Sequence, residues 1–483
     1  MSLTNSQYGV TRLRLAFPKQ KEMQFKDLTF HYQKGEKILM LGPSGCGKST
    51  LMQVLCGLVP EHIEYPVKAD EIKIPEKWGY VFQDPDSQFC MTCVDEEIAF
   101  VLENLQVPRE KMPDIIHQKL KEAGLHLDDI HTPINQLSGG MKQRLATASA
   151  LALDPDALFL DEPTAMLDPE GTEGLWEMLK DAAADKTVII VEHKIDHVVN
   201  FVDRVVLFND DGDMIADGTV NDIFKNYQHK LIEYGIWYPG VWQNEFGNKP
   251  EAADIFEGQP LIEIEDFTVY RKKTPKVHVN KLLVASGEWI TIIGRNGAGK
   301  STLLEGMMGL LPCTGKCKNL SDETDPAFVF QNPEFQFVTD KVIDELQYGL
   351  VIKKVGQSII NEKVNQALHQ FSLAPHIRQH PFQLSVGQKR RLSVACSLLE
   401  NPKIVLLDEP TFGQDAKNTF ALLEHFEKLR QTGAAVIMVT HEMEIVQRFA
   451  TRVLEIEDGK LKKDFLTARG HLLLNKNEAG MVY

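Results

Sequence analysis

Long apolar runs are missing from this 483-residue chain. None approaches the ~18 residues that would cross a bilayer, and the first residues lack the basic–apolar–small pattern of a secretory signal. The expectation is a cytoplasmic protein whose membrane attachment, if it has one, comes through partners. Cysteine is scarce: seven residues, at 46, 56, 90, 93, 313, 317 and 396, form no even disulfide framework and fit a reducing compartment. The spacings Cys90-x-x-Cys93 and Cys313-x-x-x-Cys317 invite a zinc reading. No flanking histidine pair and no redox strand–helix context accompanies them, so these thiols read as small residues of loops and cores. Positive charge is also short. A net charge of −16 argues against a broad nucleic-acid surface. What remains, 43% hydrophobic and 25% charged residues, is the balance of a soluble globular protein with room for two or three domains.

What is present is a glycine-rich loop, twice. Gly42-Pro43-Ser44-Gly45-Cys46-Gly47-Lys48-Ser49-Thr50 and Gly294-Arg295-Asn296-Gly297-Ala298-Gly299-Lys300-Ser301-Thr302 both fit G-x-x-x-x-G-K-[ST]. In this pattern backbone N–H groups close around phosphates, the lysine reaches the β/γ-phosphates and the serine hydroxyl meets Mg²⁺. The helix that follows points the positive end of its dipole at the same anion. Apolar, strand-like runs precede both loops (Lys37–Leu41 and Trp289–Ile293) and Leu-rich helical stretches follow them. Cys46, inside the first loop, is expected to be open to alkylation and shielded by ATP.

Each loop begins its own set of motifs in the same order. Lys48 maps to Lys300, Gln83 to Gln331, Ser138 to Ser385, Glu162 to Glu409 and His193 to His441, with offsets between 247 and 252. So constant an offset indicates a duplicated domain, not a short solenoid repeat. The first domain is expected over residues 1–225 and the second over 259–483, its tail after Asp458 uninformative. Between them lies a mixed linker (226–258) whose Trp237, Tyr238 and Trp242 read chiefly as packing residues, with a partner site as the alternative.

The downstream motifs carry the chemistry. Ala157–Asp161 and Ile404–Asp408 are continuous apolar runs ending in a carboxylate, as in a buried parallel strand whose C-terminal end faces a ligand. Asp161 and Asp408 would help hold the Mg²⁺ shell, and Glu162 and Glu409 are placed to polarise the attacking water. His193 and His441 end two further β-rich runs, Thr187–Val191 and Ala435–Val439, and are expected at the γ-phosphate. Leu137–Met141 (LSGGM) and Leu384–Gln388 (LSVGQ) come before helical segments bearing Arg and Lys. A serine and small residues at a helix start offer a hydroxyl and free N–H groups, another anion site.

With these motifs the sequence resembles the ATP-binding cassette (ABC) ATPases over nearly its whole length. The resemblance implies an α/β fold with two tandem P-loop NTPase domains, each with a mostly parallel core sheet, an antiparallel β subdomain and a helical subdomain. It implies ATP and Mg²⁺ as ligands, and the Q-loop residues Gln83 and Gln331 join Ser49, Asp161, Ser301 and Asp408 around the metal, mostly through water. It makes Ser138, Gly139 and Gly140, and Ser385 and Gly387, signature residues, Asp168 and Asp415 D-loop residues, and Phe17 and Tyr270 the aromatics that stack on adenine. In the family's head-to-tail pairing each ATP lies between the Walker A loop of one domain and the signature of the other.

Val81–Phe89 (VFQDPDSQF) and Val329–Phe337 (VFQNPEFQF) look like the Q-P-[DE]-x-Q-[FL] stretch of the energy-coupling factor importers' cobalt/vitamin-type ATPases. In that subgroup this region and the acidic segment after it (Val94–Asn104, Val342–Leu350) dock a transmembrane coupling subunit, and a small membrane protein binds the substrate. The protein would then be peripheral to the cytoplasmic face of the membrane. The fused layout resembles ATPases for thiamine or thiamine-precursor uptake. Two departures fall on the half-site that would complete the Lys48 nucleotide: Val386 where the family has Gly, and Phe412-Gly413-Gln414-Asp415 in the D-loop. A β-branched residue at a close phosphate approach is sterically unwelcome, so the Lys48 site is expected to turn over more slowly. Met141 for Gln is a milder departure on the other side. The alternatives are the fused ATPase of a simple-sugar importer and a soluble ribosome-associated tandem factor. A DNA-repair or chromosome ATPase would need zinc modules or a long heptad insertion, and Asp161 comes only 113 positions after Lys48.

Overall fold

The computed structural model describes residues 7–18, 23–43, 45–165, 167, 169–247, 258–321 and 325–470. It divides into two compact units: Met1–Val241 with Asp415–Lys417, and Trp242–Gln414 with Asn418–Tyr483.

In unit one the core sheet runs in the order Met214–Gly218, Arg204–Phe208, Lys37–Leu41, Thr187–Val191, Ala157–Asp161, Trp78–Val81. All neighbours are parallel except the Met214–Gly218 edge. Both Ala157–Asp161 and Thr187–Val191 are buried at every position, because a parallel sheet covered on both faces leaves no polar side for alternation. An antiparallel sheet of Gln7–Ala16 and Met23–Gln33 with two short strands packs Val10, Leu13, Phe25 and Phe30 into the same core as Leu51, Val54 and Leu55 of the helix Lys48–Leu55. A separate helical core gathers Val94, Ile98, Ile116, Leu120 and Leu145.

Unit two repeats this plan with its sheets joined. Its parallel strands, in the order Trp289–Ile293, Ala435–Val439, Ile404–Asp408 and Ala327–Val329, are continuous with the antiparallel strands in a single sheet. The seam is one parallel pairing, His278 with Lys460. The strands expected at Lys37–Leu41, Trp289–Ile293, Ala157–Asp161, Ile404–Asp408, Thr187–Val191 and Ala435–Val439 all occur with those limits. The linker aromatics Trp237 and Tyr238 are buried, and Trp242 packs edge-on against Phe420, 4.9 Å between ring centroids.

Candidate nucleotide sites

Both glycine-rich loops join a buried strand to a helix that starts at the lysine, Lys48–Leu55 and Lys300–Met307. The turn requires left-handed backbone: Gly47 and Gly299 have φ of 100° and 106°. At Gly294 a Cβ would stand 2.1 Å from the carbonyl oxygen of Ile456, so no side chain fits there. Ser44 lies outside the described residues. Lys48 Nζ donates to the carbonyls of Gly42 (2.7 Å) and Pro43 (2.8 Å), and Lys300 Nζ to those of Gly294 (2.7 Å) and Arg295 (3.0 Å). Each ammonium is thus held at the centre of its loop, where backbone N–H groups and helix dipole already favour an anion.

The carboxylate at the end of each core strand lies beside the loop serine. Ser49 Oγ donates to Asp161 Oδ1 at 2.8 Å, and Tyr80 OH donates to Asp161 Oδ2 at 3.0 Å. The position matching Tyr80 in unit two is Phe328, and Asp408 Oδ1 is buried with no hydrogen-bond partner among the described residues. Burial pushes both carboxyls up to about 6, opposed by the Ser49 and Ser301 hydroxyls. Tyr80 was invisible as a site residue, since a strand aromatic is normally core.

Glu162 and Glu409 adopt left-handed backbone, φ 48° and 49°, fixed by N–H bonds to the carbonyls of Val191 and Val439 on the next strand. Gln83 Nε2 donates to Glu162 at 2.6 Å, and His193 Nε2 lies 3.0 Å from the same carboxylate. In unit two Gln331 stands 3.4 Å from Glu409. His441 Nε2 is 3.2 Å from Glu409, but off the direction of a hydrogen bond. Burial opposes ionisation of both glutamates, yet His193 beside Glu162 and His441 beside Glu409 outweigh it and hold both carboxyls below their ordinary value. Each unit therefore places an ionised carboxylate, a glutamine and a histidine together beside its lysine loop.

Unit one adds a carboxylate that sequence reasoning missed. Glu192, buried next to His193, accepts from the backbone N–H of His193 (3.1 Å) and, weakly, of Thr164 (3.4 Å). Thr440 occupies its place in unit two. Burial, then the charge of Glu162, push the Glu192 carboxyl from 4.5 up to about 7. Between those values the native state keeps a proton that the unfolded chain has lost, so stability falls as pH rises from 4.5 to 7 and levels beyond. Asp161 and Asp408 act in the same sense. Glu192→Gln is expected to flatten this decline, at about 1.4 kcal/mol for each pH unit removed. Thermal unfolding of the nucleotide-free chain at several pH values measures it, and an unchanged slope in the variant would exclude the effect.

The signature serines are helix N-caps. Ser138 Oγ accepts from Met141 N, and Ser385 Oγ from Gln388 N, both at 3.3 Å. Gln388 returns a bond to Ser385 N–H at 2.9 Å and closes a capping box, which Met141 cannot do. Gly139 and Gly140 open the helix Gly139–Ala152; Val386, 46% exposed, and Gly387 open Val386–Leu398. Gln414 Nε2 donates to Gly387 O at 3.1 Å. Asp415 immediately precedes the helix Ala416–Gln431, whereas Asp168 lies outside the described residues.

The paired Q-P-[DE]-x-Q stretches grip these same helices. Lys142 pairs with Asp86 at 2.6 Å, and Gln88 Nε2 donates to Ala146 O at 2.9 Å. Lys389 bonds to Glu334, and Gln336 bonds to Ser393 O and Ser397 Oγ at 3.1 and 3.0 Å. In unit two the fully buried Arg390 adds bonds to the carbonyls of Phe330 and Gln331, both 2.6 Å. Its counterpart Gln143 is equally buried, and neither amide atom has a partner among the described residues. The large apolar side chain left exposed in the stretch is Phe335 (75%) in unit two, where unit one has Ser87.

One sequence expectation changes here. Cys46 is not open to alkylation: its side chain is buried, and burial pushes its thiol up despite Lys48 nearby. Phe17 and Tyr270 are partly buried. Phe17 meets Tyr65 edge-on at 5.4 Å, and Tyr270 OH contacts Thr314 Oγ1 at 3.3 Å.

The ABC transporter family model matches residues 25–165 and 278–412. The chain is 35% identical over 519 residues to "Putative HMP/thiamine import ATP-binding protein YkoD" of Bacillus subtilis (strain 168), an alignment spanning 98% of this chain and 93% of that protein. It is 32% identical over 520 residues to "Putative ABC transporter ATP-binding protein TTE1589" of Caldanaerobacter subterraneus subsp. tengcongensis, spanning 92% and 91%. Among solved structures, the archaeal ribosome recycling factor aABCE1, in complex with ribosomal stalk protein aP1, superposes with a TM-score of 0.64. The identity there is 20%, over 93% of this chain and 88% of that one, which is a likeness of fold.

Proposed function

The chain belongs to the ABC transporter ATPases, and we propose that it is the energy-coupling subunit of an importer of the energy-coupling factor type, taking up a vitamin or vitamin precursor. The observation that carries this reading is the 35% identity, across nearly the full length of both chains, to a relative named for HMP/thiamine import. The paired Q-P-[DE]-x-Q stretches support it, as does the exposed Phe335 in the region proposed to meet a membrane partner. Among the described residues no helix is long and apolar enough to cross a membrane. The membrane path and the solute receptor would therefore be other polypeptides, a transmembrane coupling subunit and a small substrate-binding membrane protein.

In this reading residues 1–225 and 259–483 form two ATPase domains that pair head to tail. Lys48, Ser49, Gln83, Asp161, Glu162 and His193 face Ser385 and Gly387, and the Lys300 set faces Ser138, Gly139 and Gly140. The residues fit a hard divalent cation. Asp408 has a buried oxygen without a partner among the described residues, and the Asp161–Ser49 pair is the oxygen donor set Mg²⁺ takes. Ser49, Asp161 and Gln83, and Ser301, Asp408 and Gln331, would hold it, and Mg²⁺ supplies charge neutralisation between phosphates. The ionised Glu162 or Glu409 orients the water that attacks the γ-phosphorus and accepts its proton as the bond to the bridging oxygen breaks. His193 or His441 steadies the γ-phosphoryl oxygens, and Lys48 or Lys300 balances the charge left on the β-phosphate. Closure on two ATPs and reopening after cleavage would drive the membrane partner.

Affinity purification of the full chain from detergent-solubilised membranes tests the proposal. The expected result is stoichiometric recovery of a polytopic coupling subunit and a small membrane protein whose vesicles retain an HMP- or thiamine-like solute. Recovery with ribosomes instead, and no membrane subunit, would assign the chain to the soluble alternative.

A further inference from the structure

The first unit carries a set of metal-binding side chains that its repeat lacks. The helix Val94–Asn104 is anchored at its start to the loop 129–133: Val94 N–H bonds to Thr132 O and Asp95 N–H to Ile130 O, both 3.1 Å. This brings together residues 38 positions apart. Cys93 Sγ lies 3.8 Å from His131 Nε2, and with a Glu96 carboxylate oxygen the three ligand atoms lie within 4.8 Å of one another. His131 Nδ1 is bound by Asp95 at 3.0 Å. That bond puts the ring proton on Nδ1 and leaves the Nε2 lone pair towards the thiol, the carboxylate–histidine arrangement that orients metal ligands. Ligands of a tetrahedral zinc ion, bonded at about 2.0–2.3 Å, stand about 3.5 Å apart, so closure needs shifts under about 1 Å.

Unit two supplies an internal control. Val342 N–H and Ile343 N–H make the same two anchoring bonds, to Gln379 O and Ile377 O. The positions matching Cys93, Glu96 and His131 are there Lys341, Asp344 and Arg378. Two cations replace the sulfur and nitrogen ligands on an equivalent backbone. The fold thus has no need of Cys93 and His131 at these places.

We propose that Cys93, Glu96 and His131 form a binding site for a thiophilic divalent cation of the Zn²⁺ class, with a fourth position open to water. Binding releases the Cys93 thiol proton to solvent and leaves a metal thiolate. The ion would staple the start of the helix Val94–Asn104 to the loop 129–133, and the site stands whether or not that helix meets a membrane partner.

Titration of the nucleotide-free, metal-free full chain with Co²⁺ tests it, read by the thiolate-to-cobalt charge-transfer band and by competition with Zn²⁺. One equivalent should give the band, and Zn²⁺ should quench it. Cys93→Ser and His131→Ala should abolish it, Cys90→Ser should leave it intact, and Asp95→Asn should weaken affinity about 10–100-fold. The His131 side chain is 61% exposed, so His131→Ala keeps the test valid should Cys93→Ser fail to fold. No band in the parent chain, or a band that survives His131→Ala, would overturn the site.

Discussion

Replacing Glu409 with Gln should remove most of the steady-state ATPase activity of the complex, about tenfold or more, while Glu162→Gln should leave more than half. A general base contributes about 10²–10⁴-fold at its own site, so either substitution silences the site that carries it. What distinguishes them is how much turnover each site supplies. The glutamate shells alone favour the first site, since Gln83 and His193 bind Glu162 more closely than Gln331 and His441 bind Glu409. The opposite signature decides otherwise in our proposal. Val386, half-exposed at the start of its helix, places a branched side chain where Gly139 of the other signature has none. An approach to phosphate hindered by only about 1.4 kcal/mol slows that site tenfold. The distances between glutamate and its partners also tighten readily when substrate arrives, whereas an extra isopropyl group cannot be withdrawn. Equal residual activities in the two variants would refute the asymmetry.

Arg390→Met should lower the unfolding free energy of unit two by about 3–5 kcal/mol, with Gln143→Met changing unit one by less than about 1 kcal/mol or stabilising it. The two positions are equivalent in the repeat and equally buried. Arg390 spans the gap between the signature helix and the carbonyls of Phe330 and Gln331, so its removal takes a charged donor from two part-buried acceptors. Gln143 makes no such bonds among the described residues, and an apolar side chain of similar volume relieves its desolvation. Burial lowers the Arg390 guanidinium to about 10 and leaves it charged at neutral pH. Denaturant melts of the full chain would register the contrast, and equal losses at both positions would refute it. Arg390→Met should also free the segment carrying Gln331, visible as a rise in KM for ATP.

The core of both units was legible because its signals are local. Ala157–Asp161 and Ile404–Asp408 read as buried parallel strands from four apolar residues and a terminal acid, and a duplicated loop marked the strand–helix junctions. The missed features depend on distant neighbours. Tyr80 serves Asp161 from 81 positions away, His131 reaches Cys93 from 38, and Gln336 turns inward onto a helix 57 positions on. The Cys46 reading failed for the same reason: a loop thiol is exposed or buried according to what packs over it. Glu192 was overlooked because a charged residue beside a histidine resembles surface, and only the sheet reveals it as interior.

The left-handed backbone at Glu162 and Glu409 bears on how this protein could drift. Such angles cost a side-chain-bearing residue about 1–3 kcal/mol, and glycine or asparagine would occupy them more comfortably. A random change to either would make a sturdier molecule that no longer splits its fuel. Selection for robustness alone would erase these acids, and their presence twice on one chain is the mark of pressure to do work.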